Sequence, residues 1–303
     1  MDASSPRDRP NLALLIRLAG IAGFATMGAL IKLASERGIH LAEIIFWRQF
    51  ISLPILLAWV MAHGGLAMLA TRRPGTHAVR GIYGMIGMIF NFGAVILLPL
   101  AEATTLNFTS PIWAVILSTL LLREKVGIWR WSAVLLGFSG ILLIAQPTGG
   151  HFPLYGTLVA LGGAFMIALI SIQIRDLSRT ERPVTIVFWF AAMSVVVTAP
   201  FLPFVMVPHS AQDWLLLLGI GLAGTWGQVL VTAALRYGAV SSVIVMDYSS
   251  LVWATLFGWL IFDRLPPGTT WLGAPLVVAA GLVIAWREHY LARQRASAAS
   301  PSA

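Results

Sequence analysis

Ten stretches of about 20 mostly apolar residues follow one another along the chain, separated by short connections. They run over 12–35, 41–61, 78–98, 101–122, 128–146, 154–174, 184–205, 213–235, 240–262 and 269–287. An α-helix of about 20 residues, rising about 1.5 Å per residue, crosses the hydrocarbon core of a bilayer and satisfies its own backbone hydrogen bonds there. Proline and glycine mark many of the connections: Pro74-Gly75, Pro147, Pro183, Pro208 and Pro266-Pro267-Gly268. A water-soluble fold cannot use such a pattern. Of the 303 residues, 58% are hydrophobic and 11% charged, against about 25% charged in a soluble domain. The chain reads as an all-α integral membrane protein.

The placement of the basic residues gives the direction of each span, because Lys and Arg collect in cytoplasmic loops. With the N-terminus inside, the inner segments hold Arg7, Arg9, Arg72, Arg73, Arg80, Arg123, Lys125, Arg130, Arg175, Arg179, Arg182, Arg236, Arg287, Arg293 and Arg295. The outer segments hold Arg37 and Arg264, with Lys32 close to that side. This asymmetry supports an even number of spans and both termini in the cytoplasm, with the protein expected to be multi-pass in the plasma (inner) membrane. The net charge of +8 is thereby explained as an orientation signal, and no nucleic-acid partner is inferred from it.

The sequence repeats. At an offset of 140, Gly81, Gly84 and Gly87 fall on Gly221, Gly224 and Gly227, and Asn107-Phe108-Thr109-Ser110-x-x-Trp113 falls on Asp247-Tyr248-Ser249-Ser250-x-x-Trp253. Trp131 falls on Trp271, and at an offset of 142 Phe46-Trp47 falls on Phe188-Trp189. The unit is five helices. Five is odd, so the second copy traverses the membrane upside down relative to the first, which is the architecture of many secondary transporters. The expected organisation is an N-terminal tail (1–11), a first repeat (12–146), a second repeat (154–287) and a C-terminal tail (288–303), both tails cytoplasmic. The spaced glycines read first as a packing face.

Polar groups at depth point to function. Asn107 lies about 9 Å into the fourth span at about 1.5 Å per residue, and Asp247 lies a similar distance into the ninth, which enters from the other side. Hydroxyls (Thr104, Thr105, Thr109, Ser110, Ser241, Ser242, Ser249, Ser250) and aromatics (Phe108, Trp113, Tyr248, Trp253) surround them. A carboxylate in hydrocarbon finds a cation or takes up a proton. Asp247 therefore reads either as a proton-coupling or amine-binding site, or as one half of an interhelical ion pair with Arg236 or Arg48. Arg48 suits a substrate carboxylate or a bracing or snorkelling role. Gln228 and Asn91 suit helix–helix hydrogen bonds or ligand contacts. Arg17 and Lys32 are expected to snorkel, and Glu43 and Glu102 to be solvated near the outer face. The candidate substrate-binding set is Asn107, Trp113, Asp247, Tyr248, Trp253, Arg48 and Gln228, with Asp247 the candidate for proton coupling.

No G-x-x-x-x-G-K-[ST] phosphate loop, G-x-S-x-G elbow or metal-ligand spacing of histidines is present, and the chain has no cysteine. No catalytic residue, metal or cofactor is expected. The run from Ala101 through Pro111 and Trp113 to Leu122-Arg123-Glu124-Lys125 resembles the EamA family of the drug/metabolite transporter superfamily. So do Gly137-x-x-Gly140, Phe46-x-Arg48 and, in the second half, the stretches Arg236-Tyr237-Gly238-Ala239-Val240-Ser241 and Asp263-Arg264-Leu265. The chain departs from the family pattern at Leu251, the repeat partner of Pro111, and at Asp263, where a Glu is usual. The resemblance implies ten helices in two inverted five-helix repeats, and transport of small metabolites such as amino acids, with a lean toward export. The expected function is a secondary transporter working by alternating access, as a monomer or homodimer. The alternatives are a passive channel or facilitator, and a non-transporting membrane scaffold.

Overall fold

The computed structural model of the chain describes residues 10–122, 128–145, 154–177, 180–237 and 245–299. Arg7, Arg9, Arg123, Lys125, Pro147, Arg179, Ser241 and Ser242 lie outside the described residues. All regular structure among the described residues is helical: α1 (Pro10–Glu36), α2 (Leu41–His63), α3 (Pro74–Leu97), α4 (Leu100–Asn107), α5 (Ser110–Leu122), α6 (Ile128–Ala145), α7 (Leu154–Leu177), α8 (Pro183–Thr198), α9 (Leu202–Val205), α10 (Ala211–Tyr237), α11 (Ser249–Phe262) and α12 (Gly268–Ala299). Six segments among them are long and apolar enough to cross a bilayer: Asn11–Glu36, Leu41–His63, Pro74–Leu97, Leu154–Ile174, Pro183–Val205 and Ala211–Ala234. The outer surface is apolar, with Leu15, Ile82, Leu142, Val252 and Leu260 all more than half exposed. That surface suits acyl chains and not water.

The helix ends follow from local chemistry. Pro74 and Pro183 open α3 and α8 at positions where a missing N–H costs nothing. Lys32 donates to the carbonyls of Val95, Ile96 and Leu98 at 3.1, 3.3 and 2.8 Å, satisfying the open carbonyl end of α3 with a cation. Lys32 is 5% exposed, so it is a buried cap and does not snorkel. The tenth span outruns its expected end: α12 continues to Ala299, because the residues after Trp286 are mostly strong helix formers such as Leu, Ala, Arg and Gln.

The fourth span is two helices, α4 and α5, broken at Phe108 and Thr109. The Thr109 hydroxyl donates to the Leu106 carbonyl at 2.7 Å, competing with the helical ladder, and Pro111 brings no N–H to it. The ninth span shows the same device. A 3₁₀ turn, Val245–Tyr248, precedes α11, and Ser250 Oγ donates to the Asp247 carbonyl at 2.6 Å. Asn107, at the end of α4, and Asp247, in this turn, are repeat equivalents.

Helix packing obeys the same exchange. When span n of one half is traded for span n of the other, the α1–α10 pairing becomes α7–α3, α2–α10 becomes α8–α3, and α1–α11 becomes α7 with α4 and α5, all of which occur. The α2–α8, α6–α12 and α4–α11 pairs map onto themselves. Glycine permits the tightest approaches. A Cβ on Gly23 would lie 3.2 Å from the Gly227 nitrogen, and one on Gly140 would lie 2.7 Å from the Gly273 carbonyl oxygen, so α1–α10 and α6–α12 meet backbone to backbone. Ion pairs follow the exchange with their signs reversed. Arg37 after α1 pairs with Asp213 of α10 at 3.3 Å, and Asp176 of α7 pairs with Arg73 before α3 at 2.6 Å, at the opposite face.

Candidate functional site

Helices α2, α3, α8 and α10, with Ile174 of α7, enclose a cavity of about 280 Å³, near the lower end of the roughly 300–1,000 Å³ of small-molecule sites. It lies between the two halves. Its walls carry Arg48, Gln49 and Ser52 from α2, Arg80 from α3, Phe190 from α8, and Thr225, Gln228 and Thr232 from α10. It extends from the middle of α2 and α10 toward the face where α3 and α8 begin, at Pro183 and Thr232. Its hydroxyls are oriented: Ser52 Oγ and Thr225 Oγ1 share a hydrogen bond of 2.7 Å across the α2–α10 interface, and Gln49 Nε2 donates to Ser194 Oγ at 3.4 Å.

Among the described residues the wall holds two guanidinium groups and no carboxylate. Arg48 Nη1 donates to Gln49 Oε1 at 2.9 Å, Arg48 Nε faces the Met27 sulfur at 3.4 Å, and its guanidinium lies 5.8 Å from the Phe92 ring centre. Arg80, 8% exposed, sits over the Phe190 ring at 4.4 Å, and its Nε and Nη1 have no hydrogen-bond partner. Glycine makes room for both side chains. A Cβ on Gly84 would collide with Arg80 and Phe190, and one on Gly224 would lie 3.2 Å from Arg48 Nε. Gly84 and Gly224 are repeat equivalents.

On the other side of Arg48 the helices close. Glu43, fully buried, contacts His209 through Oε1 and accepts from Trp47 Nε1 at 3.2 Å. Trp214 packs edge-on against Trp47 at 4.9 Å and His209 at 5.2 Å. This plug joins the start of α2 to the segment before α10. Glu43 was expected to be solvated; instead it is desolvated by these aromatics. Glu102 also departs from that expectation. It is 1% exposed and accepts from Thr270 Oγ1 at 3.4 Å.

The seven expected site residues fall in separate places. Arg48 and Gln228 line the cavity. Asn107 and Asp247 flank the two span breaks, which meet through the Phe108 and Tyr248 rings at 4.9 Å. Asn107 Oδ1 is buried without a partner. Trp113 packs between Phe138 and Phe165 at 6.1 and 5.7 Å with Nε1 unpartnered, and Trp253 packs on Phe257 at 6.0 Å. Asp247 is in an ion pair, one of the two readings expected for it, but the partner found among the described residues is Arg17 rather than Arg48, and the Arg236 side chain lies outside them. Arg17 donates from Nε and Nη2 to its two oxygens at 2.7 and 2.6 Å, and from Nη1 to the Val231 carbonyl at 3.2 Å. Arg17 is 7% exposed, so it too does not snorkel.

Sequence reasoning missed Gln49, Arg80, Phe190 and Thr225 as cavity residues. Two residues from the start of the expected span 78–98, Arg80 counts with the inner-segment cations; α3 starts at Pro74 and carries it deeper into the helix. The available signal is its position four residues before Gly84, immediately ahead of the repeated glycine pattern.

The EamA-like transporter family model matches residues 11–146 and again 154–286. The chain belongs to the EamA-like transporter family. Two matched copies in tandem agree with the repeat seen in the packing. Among similar EamA-like and related proteins, a riboflavin transporter of Vibrio cholerae is 31% identical over 291 residues, covering 93% of this chain and 96% of that one. A pseudopaline exporter of Pseudomonas aeruginosa is 32% identical over 264 residues, covering 86% and 91%. An S-adenosylmethionine uptake transporter of Rickettsia prowazekii is 27% identical over 254 residues, covering 82% and 84%. One crystal structure aligns with a TM-score of 0.62 at 22% identity, covering 92% of this chain and 98% of that one, and shows the fold alone. This EamA-like protein is thus a transporter of small molecules and not an enzyme.

Proposed function

We propose that this chain is a secondary transporter that carries a small, water-soluble metabolite, an amino acid or a related polar or aromatic compound, through the α2–α3–α8–α10 cavity by alternating access. The observation that carries the reading is a cavity with polar side chains on a largely apolar wall, set between two exchange-related halves and plugged at one end by Glu43, His209, Trp47 and Trp214. A plugged cavity suits a carrier better than an open pore. With the termini in the cytoplasm, as the Arg and Lys placement argues, the state described is the inward-facing one. Export is the direction we assign, supported by the similarity to the pseudopaline exporter. Arg48 and Gln228 contact the substrate in this reading. Asn107, Trp113, Tyr248 and Trp253 line the moving region around the two span breaks. Asp247 is the proton-linked residue, since a proton on it releases Arg17.

Counterflow tests the reading. In proteoliposomes containing the purified full-length chain, preloading with an unlabelled metabolite accelerates entry of the same labelled compound, screened across amino acids, riboflavin and small organic acids. Gln228→Trp, which fills the cavity, abolishes the acceleration. Entry that is unaffected by preloading for every transported compound identifies a channel and overturns the proposal.

A further inference from the structure

We propose that Arg48 and Arg80 form an oxyanion-binding pair, so that the metabolite carried through this cavity bears a carboxylate or phosphate group. The inference rests on the reading of the cavity as the transport site and names the chemistry of its substrate.

A guanidinium in a membrane protein interior is costly and is ordinarily paired with an acid or with backbone carbonyls. The other deep cations of this chain follow that rule: Arg17 holds Asp247, and Lys32 holds three carbonyls. Arg48 and Arg80 do not. Among the described residues neither has a carboxylate partner, and two of the Arg80 nitrogens have no partner at all despite its burial. What surrounds them orients the groups without neutralising them: the Phe190 and Phe92 rings, the Met27 sulfur and the neutral Gln49 amide. The repeat-equivalent glycines Gly84 and Gly224 leave the space that each arginine occupies. Two positive charges facing the cavity, with no acid beside them among the described residues, are complete when the acid arrives on the ligand. The arginine fork matches the two oxygens of a carboxylate or phosphate, and Phe190, Ile186 and Val187 offer the rest of the ligand an apolar wall.

The test uses the full chain, purified in a maltoside detergent without phosphate, and reads thermal unfolding with matched probes. The pairs are nicotinate against nicotinamide, succinate against succinamide, and citrate against glycerol, with glycerol 3-phosphate and phosphatidylglycerol as separate arms. The acidic soluble probes raise the melting temperature and the neutral ones do not. Arg80→Gln and Arg48→Gln each weaken the apparent affinity by about 10–100-fold, the range for a lost hydrogen bond to a charged group. Arg80→Gln also leaves the ligand-free melting temperature unchanged or higher, because it removes an uncompensated charge; a fall there marks Arg80 as a structural brace and overturns the proposal. Stabilisation by phosphatidylglycerol alone assigns the pair to a lipid headgroup and also overturns it. If counterflow succeeds with neutral compounds, is blocked by Gln228→Trp and is indifferent to both arginine substitutions, the transport site stands and the anion site falls. If Gln228→Trp has no effect on transport, the cavity reading itself fails.

Discussion

The ion pair between Arg17 and Asp247 separates two roles for one carboxylate, and Asp247→Asn is the perturbation that does so. The pair has two short hydrogen bonds, 2.7 and 2.6 Å, between α1 and the turn preceding α11. Asparagine keeps the shape and one acceptor but removes the charge, leaving the Arg17 guanidinium, 7% exposed, without its counter-ion. Breaking a fully buried pair in this way costs about 3–5 kcal/mol. The Asp247 side chain is 40% exposed, and solvent screening reduces the expected loss to about 2–3 kcal/mol. At about 2–4 °C per kcal/mol for a large domain, the melting temperature falls by roughly 4–12 °C. Tryptophan fluorescence of the detergent-solubilised protein reads this directly. The double variant Arg17→Met with Asp247→Leu removes both charges and recovers most of the loss. If the single variant melts within a degree of the wild type, or if the double variant loses as much as the two singles summed, the pair contributes nothing. The same variants in proteoliposomes test coupling: a proton-linked Asp247 gives transport whose pH dependence disappears in Asp247→Asn, whereas a brace leaves the pH profile in place.

The plug is tested with a single introduced cysteine, which is clean because the chain contains none: Trp214→Ala removes the ring between Trp47 and His209, so labelling of Gln49→Cys by an impermeant reagent from the plugged face rises several-fold, and unchanged labelling means the seal lies elsewhere. Gly140→Ala drives a methyl to 2.7 Å from the Gly273 carbonyl and costs about 1–3 kcal/mol by overpacking, while Gly28→Ala, with nothing within 4 Å, is neutral or stabilising; equal melting temperatures for the two would contradict the close α6–α12 approach.

The span pattern and the repeat were legible because each is local in sequence or recurs at a fixed offset. A run such as 78–98 announces a helix by its length and apolarity alone, and Asn107 and Asp247 align at 140 residues whatever their surroundings. The break at Phe108 and Thr109 was less visible, since it depends on a hydroxyl turning back to a carbonyl three residues earlier. The site was legible only at Arg48 and Gln228. The partners that define the rest are remote: Glu43 meets His209 across 166 residues and Arg17 meets Asp247 across 230. No periodicity encodes such pairings, so position along the span points Glu43, Arg17 and Lys32 to the interface, whereas packing buries them.

The crossed pairing of the halves bears on how the chain is made. The glycine face of α1 finds its main partner in α10, which ends roughly 200 residues later, and at about 5–20 residues per second of synthesis that face waits some 10–40 seconds for cover. During that interval the first five spans sit in the bilayer with small-residue surfaces uncovered, open to lipid or to a neighbouring copy. Severing the chain between residues 145 and 154 should therefore yield two fragments that persist only when produced together, each completing the other's packing.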